Sequence, residues 1–274
     1  MSSSLSVNAQ TMRQWHKRTP VQNATVFMLW LVTIAFLLWT FQVMTKDTIW
    51  AFVMDAPRQM QDIGGRMFPP NWQSMKELWW PLWETLNIAT LGTLLGAILA
   101  VPVAFLAARN TTPSAALLRP LALLIIVSSR SINSLIWALL LVSILGPGVL
   151  AGIIAIALRS IGFIGKLLYE AIEEIRQEPV EAIVATGAKP SQVITWGVFP
   201  QIAPTLAGIC VFRWDINIRE STVLGLVGAG GMGLKLNAAL NTLAWPKVTM
   251  ILIVIFATVI VSEWVTMKLR QKLI

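Results

Sequence analysis

Three glycines in the stretch VLGLVGAGGMGLKLN are spaced as in a dinucleotide-binding loop: Gly228, Gly230 and Gly233 fit the pattern G-x-G-x-x-G. That pattern binds a pyrophosphate where it follows a buried strand, opens a helix and precedes an acidic residue by about 20 residues. No acidic residue occurs between Glu220 and Glu263, so a nucleotide site is not expected. We expect this glycine group to permit tight turns and close helix contacts; its members are Gly225, Gly228, Gly230, Gly231 and Gly233.

Charged residues in apolar surroundings form a second group of candidates. If the apolar stretch from Val198 continues as a helix, Asp215 and Arg219 lie four residues apart on one face and can pair. Arg213 is two residues from Asp215 and four from the neutral Asn217, so it is predicted to lack a local counter-charge. An unpaired guanidinium offers a planar fork of donors that suits an oxyanion.

Arg130 marks a second position of this kind, because serines and Asn133 surround it in the sequence. Charges inside a bilayer are costly and usually face a cavity or a partner group. Pairing between helices, or snorkelling to an interface, is the alternative for both arginines. The residues predicted to line a path for an anionic solute are Arg130, Asn133, Arg213, Asp215, Asn217, Arg219 and Glu220.

The composition indicates an integral membrane protein. Of the 274 residues, 56% are hydrophobic and 12% are charged, whereas a soluble domain carries about 25% charged residues. A single cysteine, Cys210, and a single histidine, His16, exclude an internal disulfide, a CxxC metal site and a histidine-based catalytic centre. The net charge of +8 is better explained by cytoplasmic loops and lipid headgroups than by nucleic acid.

Six apolar stretches could each cross a hydrocarbon core of roughly 30 Å. They are residues 24–44, 82–108, 115–145, 149–168, 198–218 and 248–267. The third is expected to be bent at SSRSINS. The chain is thus predicted to be all-α, with a tail at 1–23, a first transmembrane helix at 24–45, a periplasmic or interfacial segment at 46–81, a core at 82–267 and a second tail at 268–274.

The distribution of basic residues predicts the orientation. The two tails and the turn that contains Arg109 and Arg119 hold eight Lys and Arg, against four in residues 46–81. Because cytoplasmic loops are enriched in these residues, both termini are expected on the cytoplasmic side. Residues from about 170 to 197 are then cytoplasmic as well.

This cytoplasmic segment is predicted to form a short helix-turn-helix. Pro179 suits the first position of a helix, Gly187 suits the left-handed cap that ends it, and Pro190 can start a second helix. An isolated helix of about eight residues is marginal in water, so we expect it to dock. The apolar residues predicted to face a soluble partner are Val180, Ile183 and Val184.

The same segment carries a motif that resembles the EAA loop of ABC importer permeases. Glu181-Ala182-Ile183, three residues, Gly187, nine residues and Gly197-x-Phe199-Pro200 follow that spacing, with departures at Gly197 and Phe199, where the general pattern has Ile and Leu. In such permeases the loop sits in a cleft of the cytoplasmic ATPase and transmits its closure. The resemblance assigns this coupling to Glu178, Glu181, Ala182, Ile183, Thr186, Gly187 and Ala188.

Further motifs resemble the permease subunit of phosphonate ABC importers. They are FPPNW, RSIN, RSIGFIGKLLYEAIEEI, EPVEAIVATGA, GVFPQ, RWDINIR and TVLGLVGAGGMG, in this order. The resemblance implies a type I permease that works as a homodimer in the lipid of a bacterial inner membrane, and a cargo of phosphonate, phosphite or a related oxyanion. It also implies two copies of a cytoplasmic ATPase that bind ATP and Mg, and a periplasmic substrate-binding protein. The chain itself has no P-loop, and no cofactor or nucleic acid is expected in it.

Glu220 departs from the family, in which a small residue is expected at this point. A carboxylate there would repel an oxyanion unless Arg219, Arg213 or a partner chain neutralises it.

The alternatives to a phosphonate permease are a permease for another small solute such as an amino acid, a secondary transporter, and a membrane-embedded enzyme. A secondary transporter would have inverted repeats and broken helices. An enzyme would have to use Asp215 or Glu220 as its acid.

The glycine group is expected at the outer gate of the translocation path, where irregular backbone lines a cavity.

Overall fold

The computed structural model describes residues 20–273, and every regular element in that range is helical. The all-α prediction is therefore confirmed. The α-helices are α1 Pro20–Met44, α2 Trp50–Met67, α3 Met75–Ala107, α4 Leu118–Ser131, α5 Ser134–Leu145, α6 Val149–Glu173, α7 Gln177–Ala185, α8 Pro190–Val193, α9 Phe199–Gly225, α10 Gly231–Asn241 and α11 Trp245–Leu273. A 3₁₀ turn, Trp72–Ser74, precedes α3, and a π-helical turn, Ile194–Val198, joins α8 to α9.

Five helical runs in the described chain are long and apolar enough to cross a membrane, and a sixth arises if α4 and α5 form one broken span. The five are Val21–Met44, Trp72–Ala107, Val149–Glu173, Pro190–Gly225 and Trp245–Lys272. Helices α4 and α5 meet at 88°. The prediction of about six spans with a bend in the third is confirmed. Asn133 makes the bend by capping α5, since its side chain accepts a hydrogen bond from the Leu135 N–H at 3.2 Å.

The chain divides into two compact units. The first comprises the described residues up to Met60, which contain α1 and most of α2. Helix α1 begins at Pro20, four residues before the predicted start, in keeping with the preference for proline at the first helical position. The rest of the predicted tail, with His16, lies outside the described residues.

The second unit, from Gln61 onward, contains the other helices. Helices α3 and α6 approach closely at Gly92 and Gly96, which form a G-x-x-x-G pattern. A methyl group on Gly92 would lie 2.6 Å from Cγ2 of Ile156, and one on Gly96 would lie 2.6 Å from Cβ of Ser160. Without a strong hydrophobic force between helices in lipid, such backbone proximity supplies the packing contacts.

Apolar clusters lie towards both ends of the second unit, with polar residues between them. Towards one end, Ile88, Ile156 and Leu224 of α3, α6 and α9 are buried together. Towards the other end, Ala104, Leu168 and Ile202 of the same helices form a second cluster with others. The buried polar residues between them along these helices are Thr93, Ser160, Arg213, Asp215, Asn217 and Ser221. The fold thus holds a polar layer halfway along its central helices.

Several helices extend beyond the predicted limits. Helix α6 runs to Glu173 and α9 to Gly225, so that Arg219 and Glu220 lie inside a helix. Residues 268–273 continue α11, although the sequence predicted a tail. Helix α10 was not predicted, because its glycine-rich start suggested a loop.

The close packing of the turn between α9 and α10 leads to a first testable prediction. A methyl group on Gly233 would lie 1.9 Å from the Thr222 carbonyl oxygen and 2.8 Å from Cα of Gly225. Gly233→Ala should therefore destabilise the fold by at least about 1–3 kcal/mol, as overpacking does, and should lower the melting temperature in detergent. Gly65→Ala is the control, because no atom lies within 4 Å of its new methyl group. Equal melting temperatures for the two variants would contradict this account of the turn.

Candidate functional site

The segment between α6 and α9 has the predicted helix-turn-helix form. Helix α7 ends at Ala185, and Gly187 follows with a φ of +80°, which is the left-handed conformation that ends helices. Pro190 is the first residue of α8, as predicted. Pro179 is the third residue of α7 and not the first, so that prediction was wrong by two residues. We call residues 174–197 the coupling segment. The π-helical turn at its end is closed by a hydrogen bond from the Phe199 N–H to the Ile194 carbonyl, and such turns often occur at functional sites.

The exposed face of α7 differs from the predicted one. Val180 packs against the apolar cluster of Leu168, Ile172 and Ile202, and Ile183 lies against Gly197. Of the three apolar residues predicted to face a partner, only Val184 is exposed. The prediction was wrong for Val180 and Ile183, because the segment folds back on its own helices. The other coupling candidates that are exposed are Glu178, Glu181, Ala182, Thr186 and Gly187, while Ala188 is half-buried.

Gln201 of α9 anchors the start of the coupling segment. Its side-chain oxygen accepts from the Arg176 N–H at 3.1 Å. Its side-chain nitrogen donates to the carbonyls of Arg176 at 3.2 Å and Gly197 at 2.7 Å. The Gln201 amide thereby supplies hydrogen-bond partners to backbone groups that a short irregular segment would otherwise leave unpaired. The coupling segment is fixed to α9 at both of its ends.

The glycine group lies at the opposite end of the same helices. Gly228 and Gly230 have φ values of +94° and +83°, and the Gly148 N–H donates to the Gly228 carbonyl at 3.0 Å. The start of α10 is tied to α3, where Glu84 and Thr85 accept from the N–H groups of Gly231 at 3.0 Å and Met232 at 2.8 Å. A carboxylate is favourable at a helix N-terminus. The predicted role of these glycines in turns and close contacts is confirmed, whereas their role as a gate stays a prediction.

Arg213 lies in the polar layer and is 2% exposed. Its Nε donates to the Ser160 hydroxyl at 3.1 Å, and its Nη2 donates to Glu220 Oε2 at 3.3 Å. The guanidinium lies over the Phe163 ring at 5.2 Å, a favourable cation–π distance. The prediction that Arg213 lacks a local counter-charge was wrong, because the partner is seven residues away, two turns along the same helix face.

Arg159 of α6 completes this group and was not predicted. Its Nε lies 3.6 Å from Glu220 Oε1, and its Nη1 donates to Asn133 Oδ1 at 3.0 Å. Asn133 is thereby connected to Arg213 through Arg159 and Glu220. The signal that could have revealed Arg159 was its charge inside the predicted span 149–168. We call Arg159, Arg213 and Glu220 the charge cluster.

Asn217 lies one turn from Arg213 and is fully buried. Its amide nitrogen donates to Thr93 at 2.7 Å and to Ser160 at 3.2 Å. Its amide oxygen has no hydrogen-bond partner among the described residues. An unpaired buried acceptor is uncommon in a native protein, so this oxygen marks a position where a donor could bind.

The remaining predicted charges belong to other surroundings. Asp215 pairs with Arg219, as the spacing predicted, and also accepts from the Ser262 hydroxyl of α11 at 2.8 Å. This pair fastens α9 to α11. Arg130 is exposed on α4 and has no ion pair among the described residues. The structure therefore joins Asn133, Arg213, Asn217 and Glu220, and keeps Arg130 apart from them.

Residues 92–274 match the family described as the binding-protein-dependent transport system inner membrane component. The chain belongs to this family. It is therefore a membrane permease subunit of an importer, not an enzyme, and ATP is used by a separate subunit. This membership removes the secondary transporter and the membrane enzyme from the alternatives.

Individual members of the family are similar over most of the chain. The phosphite transport system permease protein PtxC of Stutzerimonas stutzeri is 38% identical over 209 residues, which is 76% of each chain. The phosphate-import permease protein PhnE of Mycolicibacterium smegmatis is 42% identical over 209 residues, 76% of this chain and 39% of that one. The inward-facing MetNI methionine ABC transporter has a similar fold, with a TM-score of 0.64 and 22% identity over 74% of this chain and 99% of that chain.

The hydrogen bonds of Gln201 to the coupling segment lead to a second testable prediction. Gln201→Ala removes three hydrogen bonds, each worth about 0.5–1.5 kcal/mol, and should loosen the coupling segment. Trypsin should then cleave the Arg176–Gln177 bond of the solubilised protein several-fold faster than in the wild type. Gln192→Ala is the control, because Gln192 accepts only from the Lys189 N–H inside the segment. Unchanged cleavage in Gln201→Ala would show that the anchor does not hold the segment.

Proposed function

We propose that the chain is the permease of an ATP-driven importer for phosphonate, phosphite or a related phosphorus oxyanion. The observation that carries the cargo assignment is the charge cluster, where two guanidiniums converge halfway along the helices. Arginine binds planar and tetrahedral oxyanions through its fork of donors. The names of relatives at 38% and 42% identity, which refer to phosphite and phosphate transport, support the same cargo class.

In this proposal the coupling segment docks on the cytoplasmic ATPase. Its exposed face carries Glu178, Glu181, Ala182, Thr186 and Gly187, and the apolar side chains beneath it hold it against α6 and α9. The assembly comprises two copies of this chain, two ATPase subunits that bind ATP and Mg, and a periplasmic binding protein. Both termini and the coupling segment are cytoplasmic, and the glycine group faces the periplasm as the outer gate.

Closure of the ATPase dimer would move the coupling segment, and α9 would carry that motion to the charge cluster. The π-helical turn and α9 continue directly from α8 over the run Pro190–Gly225. The same helix contains the anchor Gln201, the cluster residues Arg213 and Glu220, and the start of the glycine turn. A single continuous element thereby connects ATP use to the translocation path. Of the other predicted path residues, Asp215 and Arg219 position α9 against α11, and Arg130 borders the path from α4.

The docking surface makes a third prediction. Glu181→Lys reverses a charge on the exposed face, and Gly187→Pro cannot adopt the φ of +80°, because proline is fixed near −65°. Each variant should reach the membrane but lose at least about tenfold of its uptake, the effect of about 1.4 kcal/mol. Uptake of labelled methylphosphonate by cells of the native host measures this. Asp47→Lys, a charge reversal on an exposed residue outside the coupling segment, should retain uptake.

Normal uptake in both Glu181→Lys and Gly187→Pro would contradict docking through α7. Reduced membrane levels of either variant, measured on the same cells, would instead indicate a folding defect. Comparing uptake per molecule of permease separates the two effects.

The cargo class makes a fourth prediction. Excess phosphite or methylphosphonate should abolish uptake of the labelled phosphonate, and excess methionine should not. The methionine arm addresses the alternative cargo, because the fold is shared with a methionine transporter. Uptake of labelled methionine that depends on this chain, without any oxyanion uptake, would replace the proposed cargo with an amino acid.

A further inference from the structure

One carboxylate of the polar layer faces two guanidiniums. Glu220 Oε2 lies 3.3 Å from Arg213 Nη2, and Glu220 Oε1 lies 3.6 Å from Arg159 Nε. Each oxygen thus serves a different arginine, one on α9 and one on α6. The three side chains together carry one net positive charge, which is favourable for binding an anion.

Both contacts of Glu220 are long for an ion pair. Charge-assisted N–H···O bonds measure about 2.7–2.9 Å, and the two contacts exceed that range. Asp215 on the same helix differs, because it has a dedicated arginine one turn away and a hydroxyl donor at 2.8 Å. Glu220 divides its charge between two cations and holds neither closely.

The two arginines are held independently of Glu220. Arg213 is fixed by the Ser160 hydroxyl and the Phe163 ring, and Arg159 donates to the Asn133 side chain at 3.0 Å. The Glu220 side chain is 20% exposed and that of Arg159 is 30% exposed, whereas that of Arg213 is 2% exposed. Because each arginine keeps another partner, Glu220 can move away while the two guanidiniums stay in position.

Asn217 supplies a further, independent indication of a ligand. Its buried amide oxygen lacks a donor among the described residues, and its amide nitrogen shares the Ser160 hydroxyl with Arg213. Arg213, Asn217 and Glu220 follow one another at spacings of four and three residues, so they lie on one face of α9. A monoanionic phosphonate or phosphite offers both oxyanion acceptors for arginine and a P–OH donor for an amide oxygen.

We propose that Glu220 is a tethered competitor for the oxyanion, and that its carboxylate occupies the site between Arg159 and Arg213 which the cargo takes during transport. This inference rests on the proposed function, since it assumes an anionic cargo. In the absence of cargo, the carboxylate neutralises the two arginines inside the membrane, where unpaired charges are costly. When cargo enters, its oxygens replace those of Glu220. When cargo leaves, the carboxylate returns and prevents the cargo from being held too tightly.

The test measures oxyanion binding to the solubilised permease–ATPase complex without binding protein. Methylphosphonate is titrated calorimetrically in a chloride-free buffer against the wild type and Glu220→Gln. The amide retains the shape of the side chain but removes its charge, so the dissociation constant should fall by at least about tenfold. Uptake by Glu220→Gln should also be slower, because cargo is released less readily.

Glu173→Gln is the matched control. Glu173, at the end of α6, also lies between two arginines, Arg109 at 3.9 Å and Arg119 at 3.8 Å, but the Arg109 side chain is largely exposed. Water competes with anions at such a position, so the dissociation constant should not change. Arg213→Gln in the Glu220→Gln background should abolish the gain, because it removes one of the two cations.

Glu220→Asp keeps the charge but shortens the side chain, so it cannot reach both arginines at once. This variant should show a smaller gain in affinity than Glu220→Gln. It provides the test if Glu220→Gln does not assemble with the ATPase. Loss of the complex in both variants would identify Glu220 as a structural counter-ion and overturn the proposal. Unchanged affinity in an assembled Glu220→Gln complex would overturn it as well.

The outcomes also separate this proposal from the proposed function. If the wild type imports methylphosphonate but Glu220→Gln does not bind it more tightly, only the competitor role fails. If the wild type imports no phosphorus oxyanion, the proposed function fails first. Competition by phosphatidylglycerol for the Glu220→Gln site would assign it to a lipid phosphate and would likewise overturn the proposal.

Discussion

The arrangement of the second unit depends on the hydrogen-bond and ion-pair partners that a buried guanidinium needs inside an apolar helix bundle. Arg213 is nearly inaccessible, and a charge in such surroundings is tolerated only with partners. The partners come from α6 through Ser160 and from the next turns of α9 through Glu220. Since Arg159 also contacts Glu220 and Asn133, the requirement extends to the break between α4 and α5. Helices α6 and α9 and the N-terminus of α5 therefore meet at one electrostatic group.

The same requirement gives the central helices their layered form. Close backbone contacts such as those of Gly92 and Gly96 bring α3 and α6 together, and apolar clusters fill the bundle towards both ends. A polar group buried between two apolar clusters is costly to leave unpaired. Motion of α9 would therefore exchange partners within the polar layer rather than pull the helices apart. This makes the layer suitable for alternating between two arrangements.

The sequence predicted the features that depend on near neighbours. Proline and glycine chemistry located α7, the turn at Gly187 and the start of α8, and the four-residue spacing identified the pair of Asp215 and Arg219. Features that depend on distant segments were missed. Arg213 was considered unpaired because its counter-charge lies two helical turns away and is shared with Arg159 of another helix. No local pattern connects positions 159 and 220.

Two further differences between the prediction and the structure also arise from contacts between segments that are distant in sequence. Val180 and Ile183 have the spacing of an exposed apolar face, but the chain returns to cover them with its own helices, which only the tertiary structure reveals. Helix α10 begins in glycines that favour a loop locally, and it is stabilised by Glu84 and Thr85 from α3, far away in sequence. The G-x-x-x-G pattern at Gly92 was present in the sequence and could have indicated the contact between α3 and α6.

The central claim is that this chain transports only when an ATPase acts on it through the coupling segment. The most direct test is to extract the tagged chain gently from its host membranes, identify the subunits that co-purify, and reconstitute the complex with its binding protein into liposomes. The account predicts an ATP-binding subunit at equal stoichiometry and accumulation of methylphosphonate that requires ATP. Recovery of the chain alone, moving the solute without ATP, would contradict it.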